Sequence, residues 1–210
     1  MMDLIKANFQ AVPIISLHLD LTSLKGLVEF VNEINVKAKK LEEDNIRENS
    51  GDLRLNVPHD EIENYVGKVL DNYLVSIEIT EFNGNYSVWY DPELILKEEK
   101  FPDNIRTIRI SNAHKFLNRQ DLYQFFKITI NLDFSKTTLL DFLSNPSHAT
   151  YNQSYIEIGG LDKDWVNSSL KIIKDYIENR KNSKSWIHKR NVYDIFIWFF
   201  ILPLYVLPLH

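Results

Sequence analysis

Between Ile195 and Leu209 the chain reads IFIWFFILPLYVLPL, fifteen residues without a charge. No other feature constrains folding as strongly, because such a run must leave water for a membrane, a domain core or an interface between chains. From Tyr193 to Leu209 a continuous helix would extend about 25 Å, against roughly 30 Å for the hydrocarbon core of a bilayer. Pro203 and Pro208 weaken such a helix by removing amide donors, although membrane helices tolerate proline better than others do. Ahead of the run lie Arg180, Lys181, Lys184, His188, Lys189 and Arg190, with no acid between Glu178 and Asp194. That is the flank expected on the cytoplasmic side of a membrane.

These patterns predict three parts: a soluble domain over 1–180, a basic juxtamembrane linker over 181–192 and a hydrophobic, membrane-associated tail over 193–210. Lys184, Lys189 and Arg190 would meet anionic lipid, with Trp186, Tyr193 and Trp198 at the headgroup level. The competing expectation is a tail buried in the domain or in a homo-oligomer interface, since apolar segments of about ten to fourteen residues are more often buried than spanning. A buried element normally keeps a polar face, and this one has none.

For the soluble part the patterning predicts an α+β fold, with a mostly antiparallel sheet and amphipathic helices on one face. A strand is expected over 11–19, followed by a helix over 22–44 whose apolar stripe runs Leu24, Leu27, Val28, Val31, Ile34, Ala38 and Leu41. Thr22 or Ser23 is its expected N-cap, and DNIRENSGD a polar connector. A second helix starts at His59, behind Pro58. Residues 72–82 and 85–91 read as a hairpin through Asn83-Gly84, in a two-residue type I′ turn. Strands follow over 104–111 and 123–134, the second with Phe126, Ile128, Ile130, Leu132 and Phe134 on one face. TTLLDFLS is expected as a short helix, SYIEIGG as a strand, and the segment from Asp162 as a capped helix burying Trp165, Val166, Ser169, Ile172, Ile173, Tyr176 and Ile177.

The segment SYIEIGGLDKDWVNSSLKIIKDYIENR, with the basic linker and apolar run behind it, resembles the juxtamembrane end of uncharacterised bacterial proteins in which a cytosolic α+β domain precedes one or two membrane helices. The resemblance implies a tethered cytosolic module and brings no catalytic residues with it.

Composition narrows the function classes. The absence of cysteine excludes disulfides, thiol catalysis and Cys-based metal centres. A net charge of −5 argues against nonspecific nucleic-acid binding, which requires neutralised phosphates. The N-terminal stretch carries Asp3 and no sustained apolar run, so it does not read as a secretory signal, and the domain is expected in the cytoplasm. No cofactor or metal is expected.

Other candidates have bland readings beside the chemical ones. His18 and Asp20 share a strand face without a third partner nearby. The acids of His59-Asp60-Glu61-Ile62-Glu63 suit the first turn of a helix. Asp162 and Asp164 make Gly159-Gly160 a poor phosphate cradle, leaving a turn with close backbone packing. Asp91, Glu93, Glu98 and Glu99 read as an acidic connector, and Arg106, Arg109, His114, Lys115 and Arg119 as a charged strand face, with contact to nucleic acid or anionic lipid as the functional alternative. The expected function is a membrane-tethered binding or adaptor domain; a membrane-associated hydrolase or a soluble protein dimerising through its tail are the alternatives. A cluster of His with carboxylate would favour the enzyme.

Overall fold

The computed structural model describes residues 7–14, 21–49, 57–97, 104–135 and 154–180. Six antiparallel strands form one sheet: β1 (Asn8–Pro13), β2 (Ser76–Glu81), β3 (Tyr86–Trp89), β4 (Ile105–Ser111), β5 (Lys127–Asp133) and β6 (Tyr155–Gly160), in the order β1-β6-β5-β4-β2-β3. The helices α1 (Leu21–Glu48), α2 (Ile62–Asp71), α3 (Pro92–Lys97) and α4 (Lys163–Glu178) lie on one side of it, with α1 touching the other three. The expected α+β architecture is therefore present. No helix among the described residues is long and apolar enough to cross a membrane. The tail, the linker, the helix expected in TTLLDFLS and residues 15–19 of the first expected strand lie outside the described residues.

Strand alternation places the core. Ile77 and Ile79 of β2, Ile108 and Ile110 of β4, Ile128, Ile130 and Leu132 of β5, and Ile156 and Ile158 of β6 all face the helices and are buried. Phe126 continues that face, as its spacing predicts. Against it α1 sets a stripe from Leu24 to Ile46, so the helix runs four residues beyond the expected 44, through half of the expected connector. Ile46 continues the apolar stripe, and Arg47 bridges back to Glu43 one turn earlier. Thr22 and Ser23 stand within the first turn rather than before it, so neither is the N-cap.

Three further expectations are corrected. The hairpin turn is not a two-residue loop. The Glu81 amide bonds to the Asn85 carbonyl and the Gly84 amide to that of Glu81, which makes a three-residue loop with Gly84 at φ +90°, the left-handed residue of a bulged hairpin. The acidic connector contains α3, a short helix opened by Pro92. On α4 the buried stripe takes Leu170, whereas Ile172 is 40% exposed. The cap is as expected: Asp162 accepts from the amides of Asp164 and Trp165. Asp162→Ala should cost about 1 kcal/mol, read as a lower urea midpoint with an unchanged slope.

The long passage from β4 to β5 is fastened to the helices by a buried polar network. Glu42 of α1, fully buried, accepts from the amides of Phe125 and Phe126 and from the Tyr73 hydroxyl. Asn112 accepts from the Ile128 amide and donates to Asn35 of α1, which donates to the Tyr73 carbonyl. The amides of Phe125, Phe126 and Ile128 and the Tyr73 carbonyl are backbone groups that a buried loop would otherwise leave unpaired.

Candidate functional site

With α1 to α4 gathered on one side, the other face of the sheet carries no described α-helix. Register places Val88, Glu78, Arg109, Asn131, Tyr155 and Pro13 in one row across it from β3 to β1. Beside this row runs another of mostly small side chains: Ser76, Ser111, Thr129, Glu157 and Ala11. The Ser76 hydroxyl donates to the Ser111 carbonyl, and the Ser111 hydroxyl bonds Ile128 O and Thr129 Oγ1. Their polar capacity is thus spent within the sheet, and the longer groups of the first row carry the chemistry.

Glu78 is the centre of that row. It is 8% exposed, and both of its oxygens are engaged. Oε1 lies 2.9 Å from His114 Nδ1, and Oε2 accepts from the Tyr86 hydroxyl at 3.0 Å. His114 reaches it from a single turn of 3-10 helix (His114–Phe116) behind β4. That turn is pinned at its other side by Phe116, which meets the ring of Tyr73 edge-on in the core. A carboxylate only accepts, so Nδ1 donates to Glu78 and Nε2 is turned away from it. Tyr90 packs edge-on against the His114 ring at 5.4 Å, and the Lys115 ammonium sits 5.0 Å from the Tyr90 centroid.

Tyr86 is 57% exposed, yet its hydroxyl is turned inward. Loss of water there, and then the hydrogen bond and charge of Glu78, push its phenol up to about 12. Arg109, directly across from Glu78, partly opposes that shift. Arg109 Nε is buried and has no hydrogen-bond partner among the described residues.

The structure therefore divides the basic stretch expected between 106 and 119. His114 and Lys115 both lie against Tyr90, and Arg109 stands across the ladder from the Glu78 that His114 bonds. Arg106 is exposed near the start of β4, and Arg119 forms an exposed pair with Asp121, whose carboxyl it holds down at about 2. Among the other candidates, Asp60 and Glu61 sit in the 3-10 turn before α2, and Glu63 pairs with Arg47. Gly159 and Gly160 end β6 rather than forming a turn, though the close packing expected there is present. His18, Asp20, Glu98 and Glu99 lie outside the described residues, as do Lys184, Trp186, Lys189, Arg190, Tyr193 and Trp198.

Sequence reasoning missed Glu78, Tyr86 and Tyr90. One signal was available: a glutamate inside the β-branched run SIEIT and an arginine inside IRTIRIS are unusual strand residues, and such residues need partners or a wet face. No family model matches the chain, and neither a curated protein nor a solved structure matches it.

Proposed function

We propose that this chain is a ligand-binding module held at the cytoplasmic side of a membrane by its C-terminal segment, with the helix-free face of the sheet as its binding surface. The observation that carries the reading is the row centred on Glu78, where an acid, a base, a phenol and a guanidinium are held together by tertiary structure on a face that no described helix covers. A purely structural sheet of this kind would be expected to keep charged residues at strand ends. The tether is supported by the fifteen-residue uncharged run and the basic flank before it. Arg180, at the end of α4, stacks on Tyr176, whose hydroxyl bonds the Ser23 carbonyl of α1, so the helix leading to the linker is docked on the domain.

A membrane-associated hydrolase is the second reading, favoured by one specific geometry. The Glu78–His114 pair has the carboxylate-oriented imidazole used in general-base chemistry, with Nε2 unengaged by Glu78.

Membrane fractionation with an alkaline wash, comparing the full chain with one ending at Ser185, tests the tether. Retention of the full chain alone in the pellet is expected. If both remain soluble and the shorter one unfolds or changes its mass in solution, the tail is core or interface and the tether is wrong.

A further inference from the structure

We propose that β1 pairs antiparallel with the β1 of a second copy of this chain, about a two-fold axis at Phe9, joining two sheets into one. The inference goes beyond the reading of the helix-free face as a ligand surface, and it depends neither on that reading nor on the tether.

β1 is an edge strand, paired with β6 and with no other described strand. Edges are normally shielded from other chains by charge, by a bulge or by being short. The opposite edge, β3, is only four residues long. β1 runs for six residues in unbroken register with β6, and the chain carries no charge from Ala7 to Leu17. The Ile14 amide bonds the Ser154 carbonyl, so Ile14, Val12, Gln10 and Asn8 turn their backbone groups toward β6. Phe9, Ala11 and Pro13, with Ala7 ahead of them, turn theirs outward, where no described strand meets them. Phe9, Ala11 and Pro13 are also exposed. The Phe9 ring does not guard this edge: it leans inward over Gly159, its neighbour on β6, whose missing side chain makes the room.

A second copy is the occupant that fits. A two-fold sets residues of β1 against residues of the same strand, so a charge at the axis would face its like, and β1 has none. An acidic or basic peptide would find no opposite charge along the strand. Pro13 selects the register, because it has no amide to donate outward. With the axis at Phe9, Phe9 pairs with the second copy's Phe9 and Ala7 with its Ala11, each pair exchanging both hydrogen bonds, and no bond is asked of Pro13. With the axis at Gln10, Pro13 would stand opposite Ala7 and leave the Ala7 carbonyl without a donor. The helices also clear one another. α4 touches β6 and β1, so with strands about 4.8 Å apart the two α4 axes would stand about 10–14 Å apart, no closer than packed helices do. The helix-free faces of the two copies then run on across the seam as one surface.

Because the chain has no cysteine, introduced cysteines report on the pairing. The test oxidises full-chain variants in neutral detergent micelles. In the proposed register the two residue-9 α-carbons stand about 5.5 Å apart, within the reach of a disulfide. Those of residue 10 stand about 8 Å apart, beyond it. Phe9→Cys should therefore cross-link into a dimer, as should the double variant Ala7→Cys with Ala11→Cys. Gln10→Cys should not, nor should either alanine variant alone. Sedimentation of the cysteine-free chain in density-matched micelles should show a reversible dimer. Ala11→Pro should weaken it about tenfold or more with circular dichroism unchanged, since it removes an outward amide that β6 does not use. Phe9→Lys, which opposes two ammonium groups at the axis, should weaken it similarly, with part of the loss recovered in salt, and serves if the proline variant does not fold. Dimers that survive both substitutions would place the interface elsewhere, as in the apolar tail. Cross-linking at residue 10 alone would move the axis off Phe9. A monomer at every concentration would mean an open edge if the Phe9 and Ala11 amides exchange hydrogen freely, and an edge covered by the chain itself if they do not. Each of these results overturns the proposal. None of them turns on whether the chain pellets with membranes, so the tether stands or falls separately.

Discussion

Replacing Glu42 with alanine is expected to unfold the protein or bring it close to unfolding, whereas Glu42→Gln should cost no more than about 1 kcal/mol. Alanine leaves the Phe125 and Phe126 amides buried without acceptors and opens a cavity, and each orphaned donor carries about 1–3 kcal/mol. Against a typical stability of about 5–15 kcal/mol, the combined loss of about 3–5 is severe. Glutamine survives because one oxygen takes the important donors. The Tyr73 hydroxyl has one hydrogen but lies 2.7 Å from two acceptors, Glu42 Oε2 and the Phe126 carbonyl. It donates to Oε2, which also accepts the Phe125 and Phe126 amides, so one carboxylate oxygen gathers three donors. A glutamine whose oxygen stands at the Oε2 position keeps all three of these hydrogen bonds.

The same geometry fixes a pH dependence. Burial raises the Glu42 carboxyl above its ordinary value of 4.5, outweighing the hydrogen bonds from Tyr73, Phe126 and Phe125 and the more distant charge of Lys127, all of which lower it. Tyr73 is pushed well above the usual phenol range by burial and by Glu42, so it stays protonated throughout. An acid whose value is raised by folding binds more protons in the folded state. Its contribution therefore favours folding at low pH, and stability declines as pH rises from about 4.5 through the raised folded value. Urea midpoints across that range should show this decline in the wild type and lose it in Glu42→Gln. Equal slopes in the two would show that folding does not raise the Glu42 carboxyl.

What could be read from the chain and what could not follows the distance over which each feature is decided. Asp162 caps α4 through amides two and three residues away, and the face running from Phe126 to Leu132 depends on alternation alone. Both were legible because the physics is local. The turn at Gly84 was placed correctly but mistyped, since loop length depends on which Glu81 and Asn85 groups pair. The end of α1 was misjudged because polar residues after Leu41 suggested a connector, while Ile46 still had a core to meet. The candidate site was the least legible. His114 and Glu78 are 36 residues apart and meet only because β4 returns beside β2, so no motif spacing encodes them. Arg109, His114 and Lys115 share one basic stretch of sequence, whereas Glu78, Tyr86 and Tyr90 come from the β2–β3 hairpin and the residue after it.

Gly160 tests how tightly β6 is packed onto α4, and Gly160→Val is expected to be the second most damaging substitution. Gly160 faces the core at the end of its strand. A Cβ there would stand 2.8 Å and 3.1 Å from ring carbons of Phe126 and 3.2 Å from one of Trp165. Those two rings lock each other edge-to-face at 5.2 Å, both buried, so neither can retreat without disturbing the other. Overpacking of this kind costs about 1–3 kcal/mol for added methyl groups, with Val above Ala. The entropy that Gly→Ala removes from the unfolded chain returns only about 0.4–1 kcal/mol, so the steric term wins at Gly160. Next door the balance differs. A Cβ on Gly159 would meet the Phe9 ring at 2.3 Å, but Phe9 is 57% exposed on the edge strand and can swing into solvent. Urea midpoints should therefore fall in the order Gly159→Ala, Gly160→Ala, Gly160→Val, with the first close to wild type. Phe126→Leu should recover part of the loss in Gly160→Ala, because a smaller side chain opens space where the new methyl points. Additive losses in that pair would show that the clash is with Trp165 alone. A Gly159→Ala penalty as large as that of Gly160→Ala would show that Phe9 is held on the sheet despite its exposure.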